Sequence, residues 1–251
     1  MGNLSEKGNK MKKNILITGA SKGIGAQIAK ELQDKGNLFL TSRNEELLRA
    51  VSDKVGALDF CVCDLACESD LPKLAAFIEK NKIDILINNA GEYIYGEIES
   101  MDYEQIKHIY SANLLAPAYL CASVAKNMKQ QAWGRIINIG SISGVMGEAY
   151  ASLYSSSKSG LIGLTKALAL ELAQFNITVN TINPGWVETE MGTKSIEESD
   201  FSQAEILETI PQKRFVEPNE VANLIKYLIS EEAKGITGQS INLCAGLSLG
   251  I

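Results

Sequence analysis

One histidine, His108, serves a chain of 251 residues. So few imidazoles exclude most histidine-based metal centres. The predicted mid-helix position of His108 also rules out a Ser–His–Asp triad with Ser141, leaving it a helix-surface or packing residue. Basic residues are outnumbered as well, 24 Lys and Arg against 30 Asp and Glu, for a net charge of −6. That balance gives no footprint for nucleic acid or an anionic membrane surface. Long apolar runs are missing. The best stretch, residues 161–175, is broken by Lys166 and Glu171, so no membrane span is expected. The first thirteen residues lack the apolar segment of a signal peptide, and Glu6 spoils a myristoylation match. Residues 1–11 therefore read as a flexible lead-in. The five cysteines (Cys61, Cys63, Cys67, Cys121, Cys244) read as free thiols in a reducing, cytoplasmic setting. Strand alternation puts Cys61 and Cys63 on one face as small core residues, and no metal site is expected.

Short apolar runs alternate with amphipathic stretches through residues 12–251. Residues 14–18, 37–41, 58–63, 83–87, 135–139, 178–182 and 240–243 read as strands, nearly continuous in apolar residues at first. Helices are predicted near 23–35, 44–54, 69–80, 102–130, 154–174 and 218–230. With no linker and no repeat, the pattern implies one α/β domain. Its core is a doubly wound, seven-stranded parallel sheet with helices on both faces. The polar, strand-free stretch 185–211 is too long for an ordinary connection, so a substrate loop over about 186–211 is expected. The apolar residues of 155–175 spread around the helix, which implies packing against the sheet and against a partner subunit.

The first strand leads into Gly19, Ser21, Lys22, Gly23, Ile24 and Gly25 at the start of a helix. Such glycines allow a tight turn and close approach of backbone N–H groups to a pyrophosphate. An NAD site would end the second strand in an acid facing the ribose 2′-hydroxyl. Here that strand ends Thr41-Ser42-Arg43. Arg43 offers a fork for a 2′-phosphate and Lys22 a second cation, which favours NADP(H).

Tyr154 and Lys158 are four apart at a predicted helix start and share one face. A phenol has a pKa of about 10; a neighbouring ammonium is expected to lower it and ready the hydroxyl for proton exchange. Ser141, after the fifth strand, is placed to donate to the same substrate oxygen. Pro117 lacks the N–H that would bond the Asn113 carbonyl, freeing that carbonyl within the helix.

Taken in order, Thr18-Gly19-x3-Gly23-x-Gly25, Asn88-Asn89-Ala90-Gly91, Asn113, Ser141, Tyr154-x3-Lys158 and Pro184-Gly185 resemble the short-chain dehydrogenase/reductase family over about residues 12–246. The resemblance implies a Rossmann fold and hydride transfer between NADP(H) and a carbonyl/alcohol pair. It also implies that Lys158 holds the nicotinamide ribose and that Asn113 holds a water linking Lys158 to solvent. Asp64 and Leu65 flank the adenine, Asn89, Ala90 and Gly91 lie along the cofactor, and Pro184, Gly185, Val187 and Thr189 approach the nicotinamide. It further implies a homotetramer or homodimer through the helices near 102–130 and 154–174. The segments 210–222 and 236–239 resemble the 3-oxoacyl-(acyl carrier protein) reductase branch, so a thioester-bound or small-molecule carbonyl substrate is expected. Carrier-dependent relatives often bear basic residues before the fifth and sixth strands. Ala132 and Phe175 stand there instead, with Lys129 and Arg135 close by, and Cys244-Ala245-Gly246 replaces a double glycine. A reductase of a free ketone, sugar or polyketide-type metabolite is the alternative. A non-catalytic cofactor sensor is opposed by the intact Ser141, Tyr154 and Lys158 set.

Overall fold

Runs rich in Ile, Leu and Val, too short for helices and bounded by turn residues, become strands. In the computed structural model, which describes residues 12–198 and 201–249, these are β1 (Lys13–Thr18), β2 (Gly36–Ser42), β3 (Asp59–Val62), β4 (Ile85–Asn88), β5 (Gly134–Ile139), β6 (Ile177–Pro184) and β7 (Ser240–Leu243). They form one sheet in the order β3-β2-β1-β4-β5-β6-β7 with every pair parallel. The expected seven-stranded, doubly wound architecture is met. The lead-in 1–11 lies outside the described residues, as do 199 and 200 of the substrate segment.

Ten α-helices connect or flank the strands among the described residues: α1 (Gly23–Leu32), α2 (Glu45–Val55), α3 (Leu71–Asn81), α4 (Tyr103–Tyr110), α5 (Ala116–Gln131), α6 (Ser143–Met146), α7 (Ser152–Leu172), α8 (Glu190–Glu198), α9 (Gln203–Thr209) and α10 (Pro218–Leu228). None is long and apolar enough to cross a membrane. Strand alternation divides the core in two. Ile15, Ile17, Leu38, Leu40 and Ile87 cluster with Ile28 of α1 and Ile225 of α10. Leu16, Phe39, Leu86 and Val179 cluster with Leu74 of α3 and with Leu120 and Val124 of α5. Cys61 and Cys63 join this second cluster, both buried, as their spacing predicts. Each fully buried Leu or Ile contributes about 1.5–3 kcal/mol, so both faces are needed to hold the sheet.

A buried polar chain then fixes how α7 sits on the sheet. Asn88 and Asn138 are register partners on β4 and β5, and Asn88 Nδ2 donates to Asn138 Oδ1 at 2.9 Å. Asn138 Nδ2 donates to Thr165 Oγ1 of α7 at 2.8 Å, and Thr165 meets Thr181 of β6 at 2.7 Å. Sliding α7 would orphan these groups at about 1–3 kcal/mol each.

Two expectations need correction. The helix predicted over 102–130 is α4 and α5 separated by a π-helical turn, Ser111–Leu115. Pro117 occupies the second position of α5, where its ring and missing N–H disfavour regular α-helical bonding to Asn113, and the chain widens instead. The segment 185–211 is not structureless, because it contains α8 and α9. The latter opens on a capping box in which Ser202 and Glu205 satisfy each other's backbone N–H groups. The Cys244-Ala245-Gly246 turn also carries strain, since Ala245 sits at φ +52° where a glycine would be relaxed.

Candidate active site

The strand order reverses across β1, where β2 and β4 lie on either side, and a crevice opens at the carboxyl ends. The glycine turn occupies that point. Gly19 has φ +64°, and a Cβ there would sit 2.8 Å from Ala90 Cα. A Cβ on Gly25 would come within 2.2 Å of the Gly19 carbonyl oxygen, so α1 can approach the turn only with glycine there. Thr18 and Asn89 brace the turn from below. Thr18 Oγ1 accepts the N–H groups of Asn89 and Ala90 at 3.0 and 2.9 Å, and Asn89 Nδ2 donates to the Thr18 carbonyl at 2.9 Å. Thr18, the first residue of the glycine motif, thus supports the turn.

A cleft of about 860 Å³ runs from this turn to Tyr154. Gly19, Ser21, Lys22, Gly23, Ile24, Gly25, Ser42, Arg43, Asp64, Leu65, Asn89, Gly91, Ser141, Tyr154, Lys158, Pro184, Gly185, Val187 and Thr189 all line it. Ala90 and Asn113 do not. Ala90 packs on the core behind the turn, and Asn113 is fully buried behind Glu92. The crevice suits a dinucleotide. The N-terminus of α1 has no side-chain cap and no acid in its first turn, which leaves its N–H groups for a pyrophosphate.

The charge pattern near Arg43 is richer than the sequence implies. The two cations each have a carboxylate from a distant segment. Lys22 Nζ donates to Glu190 of α8 at 2.8 Å, and Arg43 donates to Glu92, whose other oxygen meets His108 Nε2 at 2.5 Å. The Lys22–Glu190 pair is surface-exposed and the Arg43–Glu92 pair partly so, and such pairs are weak enough for a phosphate to compete with the carboxylate. His108 is thus an exposed helix residue with a specific partner.

At the other end, α7 presents Tyr154 and Lys158 one turn apart. The Lys158 ammonium donates to the Ile139 carbonyl at 2.9 Å and lies 5.7 Å from the Tyr154 ring centroid. Burial pushes Lys158 down to about 8 and Tyr154 up to about 12. The Ser141 hydroxyl pulls Tyr154 the other way, while Glu148 raises it further. An ammonium-lowered phenol was the sequence expectation. Instead, desolvation wins, and the phenol is held protonated, as a proton donor must be.

Asn113 ties these parts together. Its Oδ1 accepts the Glu92 N–H at 2.8 Å, and its Nδ2 donates to the Glu92 carbonyl at 2.8 Å and to Ser157 Oγ at 3.2 Å. A Cβ on Gly91 would lie 3.0 Å from Lys158 Nζ and 3.3 Å from Asn113 Oδ1. The π turn therefore locks the Gly91–Glu92 backbone beside the lysine. This side-chain role goes beyond the main-chain role the resemblance implies.

A family model described as enoyl-(acyl carrier protein) reductase matches residues 19–248. The chain belongs to the short-chain dehydrogenase/reductase family and is an oxidoreductase. Within that family it is 39% identical over 241 residues to the 3-oxoacyl-(acyl-carrier-protein) reductase FabG of Escherichia coli, covering 94% of this chain and 97% of that one. The FabG of Buchnera aphidicola is 37% identical over 240 residues, with 94% and 97% covered. The crystal structure of an actinorhodin polyketide ketoreductase variant with NADPH superposes with a TM-score of 0.89 at 36% identity, covering 94% and 97% of the two chains. That of YwfH, an NADPH-dependent reductase involved in bacilysin biosynthesis, gives 0.88 at 29% identity, covering 94% and 98%.

Proposed function

We propose that the chain is an NADPH-dependent reductase of a 3-oxoacyl thioester, with Tyr154 as proton donor. The observation that carries this is the meeting of Tyr154, Ser141 and Lys158 at the end of a cleft that begins at an uncapped helix N-terminus. NADPH bound there supplies the hydride that reaches the substrate's carbonyl carbon. Tyr154 gives its phenolic proton to the carbonyl oxygen as the alcohol forms, and Ser141 hydrogen-bonds the same oxygen. Lys158, still an ammonium at neutral pH, stabilises the resulting phenolate and reaches the ribose beside it. Pro117 frees the Asn113 carbonyl to hold a water that returns a proton towards Lys158. Arg43 and Lys22, with Ser42 beside them, would hold the adenosine 2′-phosphate in place of Glu92 and Glu190. Asp64 and Leu65 would border the adenine, and Pro184 to Thr189 the nicotinamide.

One observation favours a free ketone as the alternative substrate. Arg135 is wholly buried, with Trp133 stacked on it, and Lys129 is paired with Glu171, so neither is a loose cation for an acidic carrier. Assembly as a homodimer or homotetramer would cover the outer faces of α5 and α7, where Tyr119 and Leu170 are exposed. The five free cysteines, without a disulfide, fit a reducing cytoplasm.

The test is NADPH oxidation against 3-oxoacyl thioesters on carrier and on pantetheine, alongside free diketones and keto sugars. Turnover of thioesters supports the assignment. Turnover of free ketones alone replaces the substrate, and NADH-only activity refutes the cofactor.

A further inference from the structure

The wall of the cleft contains a carboxylate, Glu148, that the Tyr154, Ser141 and Lys158 set does not require. Glu148 Oε1 accepts from Tyr93 OH at 2.7 Å, and Glu148 Oε2 accepts from Ser143 Oγ at 2.5 Å. Ser143 in turn grips Ser141 twice. Its backbone N–H donates to Ser141 Oγ at 3.1 Å, and its hydroxyl oxygen accepts from Ser141 Oγ at 3.2 Å. The Tyr93 ring meets the Tyr154 ring edge-on, with centroids 5.0 Å apart. One carboxylate is thus joined to both groups that touch the substrate oxygen.

The backbone is bent to place it there. Gly147 and Tyr150, at φ +81° and +61°, bracket Glu148 in a turn that a tyrosine adopts only at a cost. The Gly96 N–H donates to the Tyr150 carbonyl at 2.7 Å, and Tyr95 packs on Tyr150, so the 93–96 and 147–150 segments form one wall.

We propose that Glu148 is a positioning residue for the reaction. Through Ser143 it fixes the Ser141 oxygen so that only the proton swings towards the carbonyl, and its negative charge keeps Tyr154 protonated until transfer. A charge-assisted bond of the Ser143–Glu148 kind is roughly twice as strong as a neutral one, which suits an anchor. The titratable neighbours of the phenol are Lys158 on its own helix and Tyr93, Tyr95, Tyr150 and Glu148 on the wall. Glu190, Lys194 and Glu205 line the same cleft from α8 and α9. Among the charged ones, Glu148 is the group that raises Tyr154.

The inference rests on Tyr154 being the proton donor. It is tested by kcat/KM against pH for reduction of a 3-oxobutanoyl thioester of N-acetylcysteamine at saturating NADPH. Glu148→Gln keeps an oxygen for Ser143 and a polar partner for Tyr93 but removes the charge. Its alkaline limb, which carries loss of the Lys158 ammonium as well as ionisation of Tyr154, should move down by about one unit, because the removed negative charge no longer favours the ammonium or opposes the phenolate. Ser143→Ala leaves the charge in place and should lower kcat about 10-fold with the limb unmoved. Thermal melts confirm that both variants fold. An unshifted limb in Glu148→Gln, or equal losses in both variants without any shift, overturns the proposal. A fully active Tyr154→Phe instead removes the assignment beneath it, and the two failures are separable.

Discussion

Lys158→Met should make the cofactor-free protein more stable while abolishing turnover. Lys158 is almost fully buried, and burial takes its pKa from 10.5 to about 8. The unfolded chain keeps the ordinary value, so between these two pH values it binds more protons than the fold and stability rises with pH. Below about pH 8 the fold carries the whole penalty, on the order of 3 kcal/mol at 1.36 kcal/mol per unit. Methionine removes that penalty but leaves the Ile139 carbonyl without its donor at 2.9 Å, a loss of about 1 kcal/mol. The net gain at neutral pH is about 2 kcal/mol, or a Tm rise of about 4–8 °C for a chain of this size. Above the unfolded pKa the lysine is neutral in both states, so the gain disappears and the lost hydrogen bond leaves Lys158→Met slightly less stable. Thermal melts of parent and variant at a series of pH values decide the matter. A Tm difference that ignores pH, or a variant less stable at neutral pH, refutes the reasoning.

Three further outcomes follow from particular contacts. Asn113→Ala leaves the Glu92 N–H and carbonyl without their buried partner and should cost about 2–4 kcal/mol by urea unfolding, with turnover falling further than stability. Arg43→Ala should raise KM for NADPH by about 10-fold and leave that for NADH unchanged, since only the 2′-phosphate needs the guanidinium; equal effects on both cofactors would contradict the assignment. Gly25→Ala puts a methyl 2.2 Å from the Gly19 carbonyl, so dinucleotide binding by fluorescence titration should be lost.

The sheet was legible because parallel strands buried on both faces read as short apolar runs, and the glycine turn because Gly19 and Gly25 admit no side chain. Tyr154 and Lys158 were legible from a four-residue spacing at a helix start. The π turn was not. Helical periodicity runs on through Ile109 and Leu120, and only Pro117 hints at the interruption. The helix α9 did leave a readable signal in its Ser202-x-x-Glu205 capping box, masked by the polar composition around it. The carboxylates were invisible for a different reason. Glu190 meets Lys22 from 168 residues away, Glu92 meets Arg43 from 49, and Glu148 meets Tyr93 from 55. Local spacing carries nothing about such pairs, and the same charges that set cofactor and proton chemistry emerge only when β1, β2, β4, β5 and β6 are aligned. The phenol's upward shift was missed likewise, because burial is a property of the folded cleft.

The most direct test of the account is single-turnover reduction of a 3-oxoacyl thioester by NADPH with Tyr154→Phe, alongside NADPH binding to the same variant. Loss of one hydroxyl from an otherwise intact cleft should leave binding within about twofold and slow reduction by about 10²–10⁴-fold, the usual worth of a positioned general acid. Reduction at the parent rate with binding intact would contradict it.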